Sequence, residues 1–307
     1  MPQTRSMPAA EVDVSPELVR MLLNAQHPDL ADLPIAVLAN GWDNIIYRLG
    51  EDLLIRLPRR SLGAEILLHE QRWLPVLAPR LPLPVPAPVR VGRPAVGYPW
   101  PWSVVPYLPG EVAARTPPAD PSQAATSLGR FLNALHTPAD PDAPVNQFRG
   151  VPLAGRDATV QDNIALLAHT GIDTAAVNGL WATTKAAPPH DGPRLWLHGD
   201  LHPANILVDH GQLSGMIDFG DITSGDPACD LSVAWMLFPE AAHREVFWAQ
   251  YAKADDSTRV RARGWALNFS LVFLAYSADN PLMAEIGRRA YRAVLDRGEP
   301  SPRTPAA

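Results

Sequence analysis

The sequence predicts an α+β protein in which a strand-rich N-terminal part precedes a larger, mainly helical C-terminal part. Short apolar strands separated by turns fill the first third of the chain, and segments with helical periodicity take over after Gly110. Late in the chain, apolar strands at 195–197 and 206–208 flank a polar loop, and a third strand is expected at 214–217. With 307 residues and 47% hydrophobic content, the chain can form one large or two ordinary domains.

Composition restricts the class of protein. The net charge of −6 gives no indication of a nucleic-acid surface. The single cysteine, Cys229, excludes an internal disulfide and lies in an apolar run, as a small core residue would. The first residues lack the apolar centre of a signal peptide, and the longest apolar run, 265–276, is too short to span a bilayer. We therefore expect a soluble, cytoplasmic protein with no membrane partner.

The N-terminal elements follow one another closely. Ser15-Pro16-Glu17 predicts a helix start, with a capping hydroxyl, a proline in the first turn and an acidic residue. Strands are predicted at 35–38, 45–49 and 53–57, and an amphipathic helix at 64–78. The first turn contains Trp42, for which packing is the simpler interpretation.

A proline-rich stretch, 81–89, alternates apolar residues with prolines, which predicts extended or edge-strand chain because proline cannot donate to a ladder. A strand at 100–105 follows. The later helices are predicted from apolar residues at helical spacing; their ranges are 122–136, 157–167, 177–185, 241–251, 257–276 and 281–296, with a further helix starting at Asp226-Pro227.

Three oxygen-bearing side chains stand at the ends of the late strands: Asp200, Asn205 and Asp218. Phosphoryl transfer uses such a set, because one carboxylate orients the attacking hydroxyl while an amide and a second carboxylate hold Mg²⁺. His198 and His202 offer an alternative, since a spacing of four on a helix is typical of zinc ligands. Gly199 and Pro203 argue against a helix there. We expect His198 instead to pack beneath the loop and hydrogen-bond its backbone.

The motifs His-Gly-Asp-Leu-His-Pro-Ala-Asn (198–205) and Ile-Asp-Phe-Gly-Asp (217–221) resemble the catalytic core of protein-kinase-like enzymes. In detail they are similar to the aminoglycoside phosphotransferase family and its macrolide- and metabolite-kinase relatives. The resemblance implies a bilobal fold: an N-terminal nucleotide-binding lobe (1–105) with an antiparallel sheet and one main helix, a hinge (106–110), and a catalytic and substrate-binding lobe (111–300). Residues 301–307 are expected to form a disordered tail.

The same resemblance implies roles for single residues. Asp200 would be the catalytic carboxylate, and Asn205 and Asp218 would bind Mg²⁺. Gly41 and Asn44 would form the turn that covers the nucleotide. Arg56 stands where relatives have a lysine that touches the α- and β-phosphates, and it can clamp phosphate in its place.

The helical partner of Arg56 is expected to be Glu70, in the middle of the helix, in preference to Glu65 near its start. Arg59 and Arg60 could share the phosphate contacts or form a solvated basic edge. In the hinge, the Pro106 carbonyl and the Leu108 amide would meet the edge of the nucleotide base. Val104 or Val105 would form the apolar back wall, and Val105 is the residue we select.

Short spacing after the metal loop leaves no room for a long activation segment between Gly220 and Asp230. Asp230 is placed either to accept backbone N–H bonds from the catalytic loop or to serve as an ordinary first-turn acid. The short segment favours a small-molecule kinase that uses ATP or GTP.

The acceptor implied by the resemblance is a hydroxyl of an aminoglycoside-type antibiotic, whose phosphorylation confers resistance. Candidate ligands for a polycation are Asp157, Asp221 and Asp226, with Asp162 also available. A macrolide, another antibiotic or a small metabolite such as a sugar or amino alcohol are alternatives, and so is a catalytically silent nucleotide-binding protein. A monomer or weak dimer is expected.

Overall fold

The computed structural model describes residues 9–41 and 43–296 and divides the chain into two compact units. Of the described residues, one unit comprises 9–41 and 43–109 together with Met216–Gly220, and the other comprises Gly110–Gly215 together with 221–296. The sequence-based division assigned 216–220 to the C-terminal lobe, so the structure differs from it at this segment. Trp42 and the expected tail at 301–307 lie outside the described residues, and the lobe and hinge boundaries stay a prediction.

The N-terminal unit is built on a five-stranded antiparallel sheet. It contains α1 (Pro16–Gln26), β1 (Ile35–Asn40), β2 (Asn44–Leu49), β3 (Leu53–Pro58), α2 (Ser61–Leu77), β4 (Arg90–Gly92) and β5 (Trp102–Pro106), with the strands in the order β1-β2-β3-β5-β4. Ser15 caps α1 by accepting a hydrogen bond from the Leu18 amide, as predicted. The predicted strand at 100–105 begins only at Trp102, because Pro101 has no N–H for the ladder.

The two faces of this sheet carry different residues because strand side chains alternate. Tyr47, Ile55 and Val104 point to the face that packs with α1 and forms the core of the unit. Arg56 and its cross-strand partner Ser103 therefore lie on the other face, where α2 packs. The prolines that follow α2 leave extended chain, and β4 forms the edge of the sheet, as the alternation of prolines predicts.

The C-terminal unit is mainly helical, with two small sheets. Its elements are β6 (Glu111–Val112), α3 (Pro121–Leu135), α4 (Asp157–Leu167), α5 (Thr174–Lys185), β7 (Leu195–Leu197), β8 (Ile206–Asp209), β9 (Gln212–Met216), β10 (Thr223–Gly225), α6 (Ala228–Leu231), α7 (Val233–Leu237), α8 (Ala241–Gln250), α9 (Asp256–Tyr276) and α10 (Pro281–Leu295). Helix α9 packs against α4, α5, α6, α7 and α10 and is the central helix of the unit. Within the described residues, no helix is long and apolar enough to cross a membrane.

Three strand pairings position the polar loop. Strand β7 pairs with β10, and β8 pairs with β6 and β9. The turn between β8 and β9 has positive φ at His210 (47°) and Gly211 (79°), the hairpin geometry that Asp209-His210-Gly211 predicts. The loop from Leu197 to Ile206 is thereby fixed at both ends.

A buried ion pair joins the end of β10 to α9. The Asp226 carboxylate accepts from Arg261 at 2.7 Å (Nε) and 3.2 Å (Nη2), and both side chains are 4% exposed. Arg261 also donates to the Pro188 carbonyl at 2.7 Å, so its charge is well satisfied. Removing one member of such a pair leaves the other charge buried without compensation.

We expect Arg261→Leu to lower the free energy of unfolding by about 3–5 kcal/mol, because the Asp226 carboxylate would stay buried without its partner. Urea unfolding followed by circular dichroism measures this change. The matched control is Arg288→Leu, which removes an exposed arginine that pairs with Glu285 on the surface of α10 and should cost less than about 1 kcal/mol. Equal effects of the two substitutions would contradict the prediction.

Candidate active site

One buried carboxylate, that of Asp230, holds the backbone of the loop between β7 and β8. Asp230 accepts the backbone N–H groups of His198 at 2.7 Å and Gly199 at 2.9 Å. Its Oδ2 also lies 3.1 Å from Nε2 of His136, whose Nδ1 is 2.9 Å from the Tyr251 hydroxyl. Of the two roles left open by the sequence, Asp230 therefore has the supporting one. The sequence did not reveal His136 as its partner, since the two residues meet only through the fold.

Gly199 is required by the backbone of this loop. Its φ is +88°, and a Cβ at this position would collide with the Asp221 carbonyl oxygen. The residue that protein kinases place here, an arginine, could not adopt this conformation without displacing the chain around Asp221.

The two histidines of the loop are not on a helix, so the geometry that suggested a zinc pair is absent from this described segment. His198 is fully buried, and its Nδ1 accepts from the Asp200 amide at 3.3 Å, as expected from the sequence. His202 caps the short 3₁₀ turn Pro203–Asn205 by accepting from the Ala204 amide at 3.3 Å. Both imidazoles thus shape the loop.

Asp200 and Asn205 lie together in the loop. The Asn205 amide nitrogen donates to the Asp200 carbonyl at 2.9 Å, which leaves the amide oxygen as the atom suited to a metal ion. The Asp200 carboxylate, 26% exposed, has Oδ1 3.0 Å from Nη2 of Arg149 and Oδ2 3.4 Å from Nε2 of His202. Burial opposes ionisation, but the Arg149 charge and the hydrogen bond to His202 outweigh it and hold the pKa of Asp200 well below its usual range.

Arg149 is the residue of this site that the sequence analysis missed. It lies in an irregular segment with no motif, and its guanidinium stacks 4.9 Å above the Phe269 ring of α9. Burial disfavours its charge, yet the carboxylates of Asp200 and Asp221 outweigh that effect and raise the pKa of Arg149. The charge that accompanies Asp200 could have been identified only from the fold.

The N-terminal unit contains a second group of charged side chains. Arg56 donates to Glu70 at 2.6 Å, and both side chains are buried, so Glu70 and not Glu65 is the partner. Burial alone would lower the pKa of Arg56, but attraction to Glu70 and Asp218 raises it. For Glu70, burial dominates and raises the pKa despite the pairing with Arg56. The second carboxylate oxygen of Glu70 is buried and has no hydrogen-bond partner.

Asp218 belongs to this N-terminal group. Its φ of +63° is unusual for a residue with a side chain, and such conformations are concentrated at functional sites. The structure thus brings Arg56, Glu70 and Asp218 together in one unit, and Asp200 with Asn205 in the other.

Gly41 and Asn44 close the turn between β1 and β2, where the Gly41 amide donates to the Asn44 carbonyl at 2.9 Å. The Asn44 side-chain oxygen is buried without a partner. Arg59 and Arg60 do not form a solvated basic edge: Arg59 is buried and donates to the Gly41 carbonyl at 3.2 Å, and Arg60 pairs with Asp43. These two arginines brace the turn.

The expected hinge residues lie at the end of β5 and just after it, where β5 pairs with β3. Pro106 pairs with Leu53, and Val105 pairs with Leu54 on the same sheet face as Arg56. Val104 lies on the opposite face, in the core, which leaves Val105 as the valine of this pair that shares a face with Arg56. Leu108 comes two residues later, after the strand has ended.

The three carboxylates expected to bind a polycation have different surroundings. Asp226 is inside the unit, where Arg261 occupies both of its oxygens, so we no longer retain it as a substrate ligand. Asp157 is bound by Lys185 at 2.8 Å and by the Trp181 indole at 2.7 Å, and these hydrogen bonds lower its pKa. Asp221 is 38% exposed. Its carboxylate accepts a hydrogen bond from the side-chain Nδ2 of Asn146 at 2.7 Å and lies 4.0 Å from the Arg149 guanidinium.

The fold, with its antiparallel sheet unit and its mainly helical unit, is the bilobal protein-kinase-like α+β fold. The chain belongs to the phosphotransferase enzyme family, whose model matches residues 34–265. This confirms the family suggested by the motifs at 198–205 and 217–221.

Solved structures of antibiotic phosphotransferases superpose on most of the chain. The GDP and kanamycin complex of APH(2″)-IIIa aligns with a TM-score of 0.63 at 20% identity, over 90% of this chain and 97% of that one. Macrolide 2′-phosphotransferase MphH from Brachybacterium faecium aligns with a TM-score of 0.59 at 26% identity, over 92% and 99% of the two chains.

The curated relatives in sequence include two kinds of enzyme, homoserine kinases and an aminoglycoside phosphotransferase. A homoserine kinase of Methylobacterium radiotolerans is 30% identical over 205 residues, which cover 60% of this chain and 58% of that protein. An aminoglycoside 3′-phosphotransferase of Escherichia coli is 26% identical over 146 residues, or 45% and 53% of the two chains. The chain spans about half the length of the curated relatives it matches.

We predict that Arg149→Gln raises the pKa of Asp200 toward the ordinary carboxyl value of about 4, because the nearest positive charge is lost. A depressed folded-state pKa contributes stability that is present above the unfolded-state pKa and is lost as the pH falls through the folded-state value. The stability difference between wild type and variant should therefore be full at neutral pH and shrink in acid.

Carbon NMR titration of the Asp200 carboxyl measures this shift directly. Arg130→Gln, which changes an exposed arginine on α3, is the control and should leave the Asp200 titration unchanged. An Asp200 pKa that stays well below the usual range in Arg149→Gln would refute the assignment of Arg149 as its main stabilising charge.

Proposed function

We propose that this protein transfers the γ-phosphate of ATP or GTP to a hydroxyl group of a small molecule. The observation that carries the proposal is the loop at 198–205, in which a partly exposed, ionised Asp200 is joined to the Asn205 amide. Membership of the phosphotransferase family and relatives solved with GDP support it.

Asp200 would bind and orient the attacking hydroxyl. Its depressed pKa makes it a weak base, which is compatible with a loose transition state in which position matters more than proton removal. Oxygen donors fit Mg²⁺, and the Asn205 amide oxygen and the Asp218 carboxylate would supply two of them. Mg²⁺, when bound, would offset negative charge on the phosphates.

Arg56, held by Glu70, would contact the phosphates of the nucleotide, and Gly41 and Asn44 would form the turn over it. Val105, Pro106 and Leu108 are the proposed contacts of the base. The protein would act as a monomer or weak dimer.

For the acceptor, we favour a small hydroxylated metabolite over an aminoglycoside. Two of the three carboxylates expected to bind a polycation, Asp157 and Asp226, already have cationic partners within the chain. The homoserine kinase of Methylobacterium radiotolerans supports a small amino-acid-like acceptor. An antibiotic acceptor, and with it a role in resistance, is the second candidate, supported by the kanamycin complex and the macrolide phosphotransferase among the structural relatives.

The direct test is Mg²⁺-dependent release of nucleoside diphosphate from ATP and from GTP in the presence of homoserine, kanamycin, streptomycin or a macrolide. Mass spectrometry of the acceptor would show the added phosphate. Release above the water background with a phosphorylated product supports the proposal. A flat panel with nucleotide still bound would favour a silent nucleotide-binding protein.

We expect Asp200→Asn to lower kcat by about 10²–10⁴-fold with nucleotide affinity retained, because the group that orients the hydroxyl loses its charge. Asp279→Asn, in the exposed turn between α9 and α10, is the control and should keep full activity. Both variants should melt near the wild-type temperature, and full activity in Asp200→Asn would disprove the mechanism.

We also expect Arg56→Lys to bind ATP within about tenfold of wild type, because the pair with Glu70 rests on a single short contact that lysine can reproduce. Arg56→Met should weaken ATP binding by more than about tenfold, since no cation would face the phosphates. Isothermal titration calorimetry compares the variants. Wild-type affinity in the folded Met variant would exclude Arg56 from the phosphate site.

A further inference from the structure

Arg156, at the end of the 3₁₀ turn Leu153–Arg156, is a buried cation with no anionic partner in the part of the chain that the structure describes. The residue is 8% exposed, and its guanidinium makes no hydrogen bond or ion pair with any other described residue. Its Nε is buried without a partner, and its guanidinium lies 5.5 Å from the centre of the Phe148 ring. Because burying a charge without a partner is unfavourable, a compensating anion is expected.

A second arginine, Arg149, directly follows Phe148, the residue whose ring faces the Arg156 guanidinium. Burial is the main cause that lowers the pKa of Arg156, and the charge of Arg149 lowers it further. Arg149 is compensated by Asp200 and Asp221, but its own Nε is also buried without a partner. Arg149 thus has two carboxylate partners, whereas Arg156 has none among the described residues, so an incoming anion would meet a guanidinium that no carboxylate of the chain occupies.

The segment that carries Arg149 is firmly attached to β10. The backbone N–H of Asn146 donates to Thr223 Oγ1 at 2.8 Å, and the backbone N–H of Asp226 donates to the Gly150 carbonyl at 2.9 Å. Gly150 has a φ of +64°, and a Cβ there would lie 2.5 Å from the Leu197 side chain. The arginine side chain is thus presented by a fixed backbone, as a preorganised binding group requires.

We propose that Arg156, together with Arg149, binds a carboxylate of the acceptor. This inference rests on the proposed function and deepens it: the acceptor would be a small hydroxy acid or hydroxy amino acid, and not a polycation. A carboxylate matches the fork of a guanidinium in two parallel hydrogen bonds.

The charges nearby favour a carboxylate over a phosphate. Asp200 and Asp221 would repel a group with a charge near −2 more strongly than a group with a charge of −1. Asp221 is partly exposed and could accept the amine of an amino-acid acceptor. Phe148, which covers Arg156, is 58% exposed, so we expect rotation of its side chain to admit the ligand.

The test compares two pairs of acceptors, and the members of each pair differ in one charge. The pairs are homoserine with its carboxamide and 4-hydroxybutyrate with its carboxamide. We expect wild-type kcat/KM to favour the carboxylate by at least about tenfold, mainly through KM. In Arg156→Gln this preference should fall close to one. Arg288→Gln, an exposed change on α10, is the matched control and should keep the preference.

Other outcomes separate this inference from the function on which it rests. Phosphorylation of kanamycin alone, or of carboxylate and carboxamide equally well, would leave a kinase but overturn the carboxylate subsite. A full preference retained in folded Arg156→Gln would overturn it too. If Arg156→Gln does not fold, the carboxylate subsite is tested with Arg156→Lys and with the wild-type ratio of kcat/KM for the carboxylate to kcat/KM for the carboxamide.

If no acceptor is phosphorylated, the proposed function fails, and calorimetric titration of wild type with homoserine and with its carboxamide tests the subsite by itself. Binding of homoserine alone would support the subsite in a protein that is not this kinase. Absence of binding by both compounds would overturn it.

Discussion

The geometry of the loop at 198–205 depends on the buried carboxylate of Asp230. It accepts two consecutive backbone N–H groups, of His198 and Gly199, and faces the imidazole of His136, which continues to Tyr251. Hydrogen bonds to an ionised acceptor are stronger than neutral ones, and here they replace the ladder bonds that the chain gives up on leaving β7. One short helix, the end of α3 and the end of α8 therefore converge on the residues that precede Asp200.

The charge of Asp200, the next residue of this loop, is set by its neighbours. Arg149 and His202 stabilise the carboxylate form more than burial disfavours it, so the group stays ionised and is a poor proton acceptor. In phosphoryl transfer this is not a defect, because the attacking hydroxyl loses its proton late and gains most from being held in line. Asp200 is thus a weak base that would act by positioning the hydroxyl, and Arg149 would contribute to the electrostatics of the proposed reaction.

The sequence predicted those features that depend on local pattern. The pair of Arg56 with Glu70 was expected from the family resemblance and from the position of Glu70 in the middle of its helix. The hairpin turn and the loop at 198–205 were predicted because their signals lie within a few residues. It could not predict pairs that meet only through tertiary structure. Asp226 was predicted to bind a polycationic substrate because its partner, Arg261, is 35 positions further along the chain on α9. Arg149, which pairs with Asp200, lies in no recognisable motif.

Charge balance in the C-terminal unit bears on the choice of acceptor. A site for a polycation needs carboxylates whose charge is not already neutralised, yet Asp157, Asp200 and Asp226 each face a cation of the same chain. Arg156, by contrast, is buried and has no anionic partner among the described residues. Because an unpaired buried charge costs more than any surface pair contributes, this cation is the stronger constraint on what binds. It favours an acceptor that supplies negative charge.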